Sequence, residues 1–106
     1  MVRLTAIYRK GPSQKFDFNY YVHKHLQLVR EKLGAFGLLK IEVAKGLQSL
    51  DGTAAPFVCI ANCDFLDLKS LLAGLDKHAA SLIADVPNYT DIKPEVQINE
   101  IIEAGP

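Results

Sequence analysis

The run Phe57-Val58-Cys59-Ile60-Ala61-Asn62-Cys63-Asp64-Phe65 constrains the fold of this chain more than any other stretch. It starts after Pro56 and reads as a strand whose first five residues are apolar on both sides, so both of its faces need cover. Cys59 and Cys63 lie four residues apart on it, roughly 13 Å at about 3.3 Å per residue. That separation is too long for a disulfide within one strand, and both are expected to be free thiols, as in a reducing compartment.

The segments able to cover such a strand are two amphipathic helices. The first is the stretch Phe16-Asp17-Phe18-Asn19-Tyr20-Tyr21-Val22-His23-Lys24-His25-Leu26-Gln27-Leu28-Val29. Asp17 is suited to an N-cap, since its carboxylate accepts from the free N–H groups of the first turn. Phe18, Tyr21, Val22, His25, Leu28 and Val29 recur at three- and four-residue spacing and predict the buried stripe. The helix is expected to end near Gly34 or Gly37, with Arg30 and Lys32 where the dipole favours cations. The second helix starts at the cap Asp67 and runs to about Ala84. Its stripe is Leu68, Leu71, Leu72, Leu75, Ala79, Leu82 and Ile83, and Gly74 costs it about 1 kcal/mol.

Three further strands complete the chain. Val2 to Tyr8 alternates Val2, Leu4, Ala6 and Tyr8 against Arg3, Thr5 and Ile7, and Gly11-Pro12-Ser13 breaks it. Leu38 to Leu47 alternates Leu39, Ile41 and Val43 with Lys40, Glu42 and Ala44, before a turn marked by Asp51-Gly52. Pro87 bars continuation of the second helix, so Val86 to Asp91 reads as a loop, and Glu95 to Ile101 is the last strand. The order β-α-β-β-α-β predicts an α+β, ferredoxin-like arrangement: two helices on one face of a four-stranded antiparallel sheet. Residues 1–106 are expected to form a single domain. The helices cover one face only, so the two-sided apolar strand predicts a second copy of the chain on the other.

Charge excludes several functions. Lysine plus arginine equals aspartate plus glutamate, 12 against 12, and the isoelectric point is near 6.8. No net field recruits nucleic acid or an anionic membrane, and the third strand lacks the aromatic-plus-basic display of an RNA-binding sheet. No segment is long enough to span a bilayer, and the N-terminus lacks a signal-peptide run; a cytoplasmic protein is expected. No glycine-rich phosphate loop and no nucleophile elbow occurs, and no cofactor is expected.

The chemistry concentrates on the first helix. Tyr21 and His25, four apart, place a hydroxyl beside an imidazole on one face, and a histidine exchanges protons near neutral pH. His25 is therefore the candidate general acid/base; the alternative is a half-buried histidine bonded to backbone. His23 and His25 point about 200° apart on an α-helix, so they do not chelate one ion, and no metal is expected. His78 reads as a surface histidine. Tyr8, Asn88 and Tyr89 are candidate ligand contacts, although Asn88 to Asp91 also has the composition of a plain tight turn.

The stretch from Phe16 to His25, with its aspartate, aromatic pair and histidine, resembles the EthD family of the dimeric α+β-barrel superfamily. The late segment Asp85-Val86-Pro87-Asn88-Tyr89-Thr90-Asp91-Ile92 is similar to that family's late loop, and the resemblance covers nearly the whole chain. Gln27 stands where the family usually carries proline, so the helix is expected to continue without a kink. The resemblance implies a homodimer whose sheets close into a barrel, with small organic molecules bound between sheet and helices. It also implies an enzyme of the oxidoreductase or isomerase kind, working without a cofactor on a small metabolite in a degradative pathway. A non-catalytic ligand-binding dimer beside a degradative oxygenase is the alternative.

Overall fold

A computed structural model describes residues 1–12 and 15–106. Ser13, expected in the break after the first strand, lies outside the described residues. Strand β1 is Val2–Arg9, β2 is Leu38–Lys45, β3 is Phe57–Phe65 and β4 is Glu95–Glu100. A first helical run, α1, joins an α-turn at Phe18–Tyr20, a π-helical segment at Tyr21–His25 and an α-helix at Leu26–Leu33. The second helix, α2, is Leu68–Asp85. The sheet order is β2-β3-β1-β4 with every neighbouring pair antiparallel, the expected ferredoxin-like α+β fold. Among the described residues no helix is long and apolar enough to cross a membrane.

Both helices start at the expected caps. The Asp17 carboxylate accepts from the Tyr20 N–H at 2.9 Å and Asp67 from the Ser70 N–H at 2.7 Å; each such cap typically contributes about 1 kcal/mol. After α1 a 3-10 turn, Gly34–Phe36, leads to Gly37, whose φ of 81° is left-handed and suits glycine.

Three buried stripes differ from the expected ones. In α1 the buried residues are Tyr21, His25, Leu26, Val29 and Leu33, while Val22 is 41% exposed. The π-turn is the cause: the Leu26 N–H reaches back five residues to the Tyr21 carbonyl. That turn holds one residue more than an α-turn, so Tyr21 keeps its expected place on the buried face and Val22 is turned outward. In β2, Leu39 is exposed because the pairing with β3 shifts between Leu38 and Lys40. In α2, Leu68, Leu72 and Ile83 are exposed, and contact runs through Leu71, Gly74, Leu75 and Leu82. At Gly74 a β-carbon would lie 3.0 Å from Phe36 and 3.1 Å from Leu33, so the glycine permits close approach of the helices.

The open face of the sheet is more polar than the apolar run of β3 implies. Cys59, Ala61, Cys63 and Phe65 are buried toward the helices, leaving Val58, Ile60, Asn62 and Asp64 on the other side. There the Arg3 guanidinium donates to both oxygens of Asp64 at 2.7 and 3.0 Å. Thr5 donates to Asn62 at 2.7 Å and accepts from Asn99 at 3.0 Å. Ile7, Ile60 and Val58, all half-buried, are the apolar end of this face.

Candidate functional site

The π-turn of α1 turns Tyr21 and His25 together toward the sheet, with their rings stacked at 5.4 Å and 16°. Gln27 is exposed and the helix passes it without a break. His25 is 7% exposed, and its Nδ1 lies 2.9 Å from Oδ2 of Asp85, the last residue of α2. The other carboxylate oxygen, Oδ1, accepts from the Tyr20 hydroxyl at 2.7 Å and from the Asn88 amide at 2.9 Å. Burial alone opposes ionisation of Asp85, but the hydrogen bonds from Asn88, Tyr20 and His25 outweigh it and hold the carboxyl below its usual range. An ionised carboxylate only accepts, so Nδ1 of His25 carries the proton. In the neutral ring the lone pair is then on Nε2, which has no hydrogen-bond partner among the described residues and is not sealed from solvent.

His25 lines a cavity of about 270 Å³ between the sheet and the two helices. Its floor is the helix-facing side of β1 and β3 (Leu4, Ala6, Ala61, Cys63), and its roof includes Val29 and Leu82. The polar groups gather at one end, where Tyr8, Tyr21 and Tyr89 join His25. The Tyr8 and Tyr89 hydroxyls are 2.7 Å apart, and the Tyr89 ring lies 4.8 Å from the imidazole. Burial raises the hydroxyls of all three tyrosines above the ordinary phenol range, so they remain protonated donors. Burial also pushes the free thiols up, Cys59 to about 12 and Cys63 to about 11, which removes them as nucleophiles near neutral pH. A larger hollow, about 370 Å³, lies by Lys10, Phe18, Lys45 and Leu47. No histidine lines it, and its titratable side chains are Lys10 and Lys45, whereas His25 lines the smaller one.

Four of the five residues expected to meet a ligand therefore converge: His25, Tyr21, Tyr8 and Tyr89. The fifth, Asn88, does not line the cavity; its amide is turned onto Asp85. Thr90 serves the turn, its hydroxyl donating to the Lys15 carbonyl. His23 is exposed, with Nδ1 on the Asn19 carbonyl. His78 is half-buried against Phe36 rather than on open surface, and burial beside Lys32 and Lys77 lowers its pKa. Among the described residues no group of three or more His, Cys, Asp or Glu side chains is placed to hold a metal ion.

Sequence reasoning missed Asp85 as the partner of His25, sixty positions away. Its one local signal was an acid in the last turn of a helix, where the dipole disfavours negative charge. Such a residue needs donors from elsewhere, and Tyr20, His25 and Asn88 supply them.

The chain superposes on an EthD-like protein from Ralstonia eutropha JMP134 with a TM-score of 0.87 and 29% identity, covering 96% of this chain and 92% of that one. An ethyl tert-butyl ether (EthD) family protein from Bacillus halodurans C-125 follows at 0.72 and 22%, covering 96% and 99%. HapK from Hahella chejuensis shares the fold at 0.61 and 14%, over 99% and 96%. No protein-family model and no curated protein matches the chain.

Proposed function

We propose that this chain, an EthD-like protein of the dimeric α+β-barrel superfamily, is an enzyme that moves a proton on a small organic molecule without a cofactor. One observation carries the reading. His25 is anchored at Nδ1 by an ionised carboxylate, Nε2 has no partner among the described residues, and the residue lines a largely apolar cavity. The neutral imidazole accepts a proton at Nε2, and Asp85 stabilises the imidazolium so formed. Tyr21, Tyr8 and Tyr89 orient the substrate. Such proton transfer is a step open to an isomerase or to a cofactor-independent oxidoreductase on a degradative pathway.

Residues 1–106 act as one domain, and the working unit is a homodimer. The sheet face bearing Ile7, Val58 and Ile60 has no helix over it, and covering apolar surface gains about 25 cal/mol per Å². Light scattering is expected to give twice 11.7 kDa; a stable monomer removes the barrel.

Mass spectrometry of small molecules that co-purify with the protein identifies candidate substrates. His25→Ala is expected to lower turnover of the true one by about 10²–10⁴-fold, measured on protein shown to be folded by circular dichroism. Unchanged turnover makes His25 structural. Binding without any turnover by the wild type leaves a ligand-binding dimer.

A further inference from the structure

The polar end of the cavity holds more than a base. The Tyr8 and Tyr89 hydroxyls are hydrogen-bonded at 2.7 Å, and the Tyr21 ring lies 6.0 Å from that of Tyr8 and 4.9 Å from that of Tyr89. Each phenol carries one proton, and an open chain of hydroxyls uses one proton fewer than it has members. The tyrosines therefore keep one O–H to donate. This donor adjoins the imidazole, whose ring stacks on Tyr21 and leans on Tyr89. Beyond it the lining is hydrocarbon, and no lysine or arginine is among the lining residues. The nearest formal charge behind His25 is the Asp85 carboxylate, which repels anions.

A base for carbon, a neutral donor for oxygen and an apolar bed without a cation suit one kind of substrate. We propose that the site enolises an uncharged carbonyl compound, with the Tyr8–Tyr89 pair as the donor to its oxygen; this rests on the reading of His25 as the base. Nε2 takes a proton from the carbon next to the carbonyl. The C–H electron pair becomes a C=C bond, and the carbonyl π pair moves onto oxygen, where the tyrosine O–H stabilises it. The imidazolium then returns a proton to the same carbon, or to the far end of a conjugated substrate, giving an isomer. Nothing is oxidised or reduced.

The test is deuterium exchange in D₂O, followed by NMR, on the carbons beside the carbonyl of cyclohexanone, acetophenone and 2-tetralone. Wild type is expected to exchange at least one ketone saturably above buffer. His25→Ala is expected to fall to the buffer rate. The double variant Tyr8→Phe/Tyr89→Phe, which keeps both rings, is expected to lose about 10²-fold, as for removal of an oxyanion donor. Each single variant keeps one phenol and loses less. No exchange of any ketone by wild type overturns enolisation. Full exchange by the double variant, or by both single variants and a refolded double, overturns the tyrosine donors while His25 stands. Full exchange by His25→Ala instead removes the underlying reading. Binding of 2-naphthoate as tight as that of 2-tetralone overturns the uncharged substrate.

Discussion

The space between sheet and helices holds two cores built from different materials. One, around Tyr8, Tyr21, Leu26, Cys59, Ala61 and Tyr89, is largely aromatic, with hydroxyls and the His25–Asp85 pair threaded through it. The other, around Val29, Leu33, Cys63, Phe65 and Leu71, is hydrocarbon and thiol, closed by the contact at Gly74. The same strands and helices run through both. The difference lies in what each end of those elements carries, and the division of labour follows. The hydrocarbon half supplies packing density around Phe65 and Leu71 and, through Leu4, Val29, Cys63 and Leu82, the apolar wall of the cavity. The aromatic half supplies the polar end of the same cavity, through Tyr8, Tyr21, His25 and Tyr89.

The sharpest break in this comparison is Phe65→Ala. Phe65 is fully buried in the hydrocarbon half, and its truncation is expected to cost about 3–5 kcal/mol. Urea unfolding measures it. In the variant that remains folded at low temperature, the His25 NMR signals are expected to match those of wild type. Large changes there show that the two halves are one unit.

The π-turn offers a second break at the seam between the halves. Leu26→Ala is expected to cost about 2–5 kcal/mol, whereas Val22→Ala, on the outward side, stays within about 0.5 kcal/mol. An uninterrupted α-helix places Val22 one turn before Leu26 on the buried face, so equal losses at the two positions refute the π-turn.

These variants also mark the limit of the sequence. The strand and helix order, the caps Asp17 and Asp67, and the pairing of Tyr21 with His25 were legible because each rests on local spacing, whereas the meeting of that pair with Tyr8 and Tyr89 depends on tertiary packing. The π-turn was not. The run Tyr21-Val22-His23-Lys24-His25 suits an α-helix equally well, and only contact with the sheet decides that Val22 is left outside. The shift that exposes Leu39 depends on pairing with β3, and the Asp85 partnership on where a second helix ends. The polar character of the open face was half legible, since Arg3 and Thr5 already alternated with the buried residues of β1. What was missed was their pairing with Asp64 and Asn62 across the strand.

Asp85→Asn is expected to change stability least and chemistry most clearly. In wild type the carboxyl sits below its usual range, so it stabilises the fold at pH values above that range. That contribution disappears as pH falls through the folded value, across the acid region below about pH 5. The amide has no such titration, so the variant's stability is expected to fall less steeply with acid, the remaining slope including Asp64, which Arg3 holds low on the open face. The hydrocarbon half contributes no carboxylate to that slope. The larger consequence is at the imidazole. The oxygen of Asn at position 85 is required where Tyr20 and Asn88 donate, so its NH₂ group faces Nδ1 of His25. Nδ1 must then accept, and the ring proton moves to Nε2, where it occupies the lone pair that the proposed proton transfer needs. Nitrogen-15 NMR distinguishes the two tautomers directly. A histidine that keeps its proton on Nδ1 in this variant shows that Asp85 does not set the tautomer, and the aromatic half then loses its distinction as an aimed site.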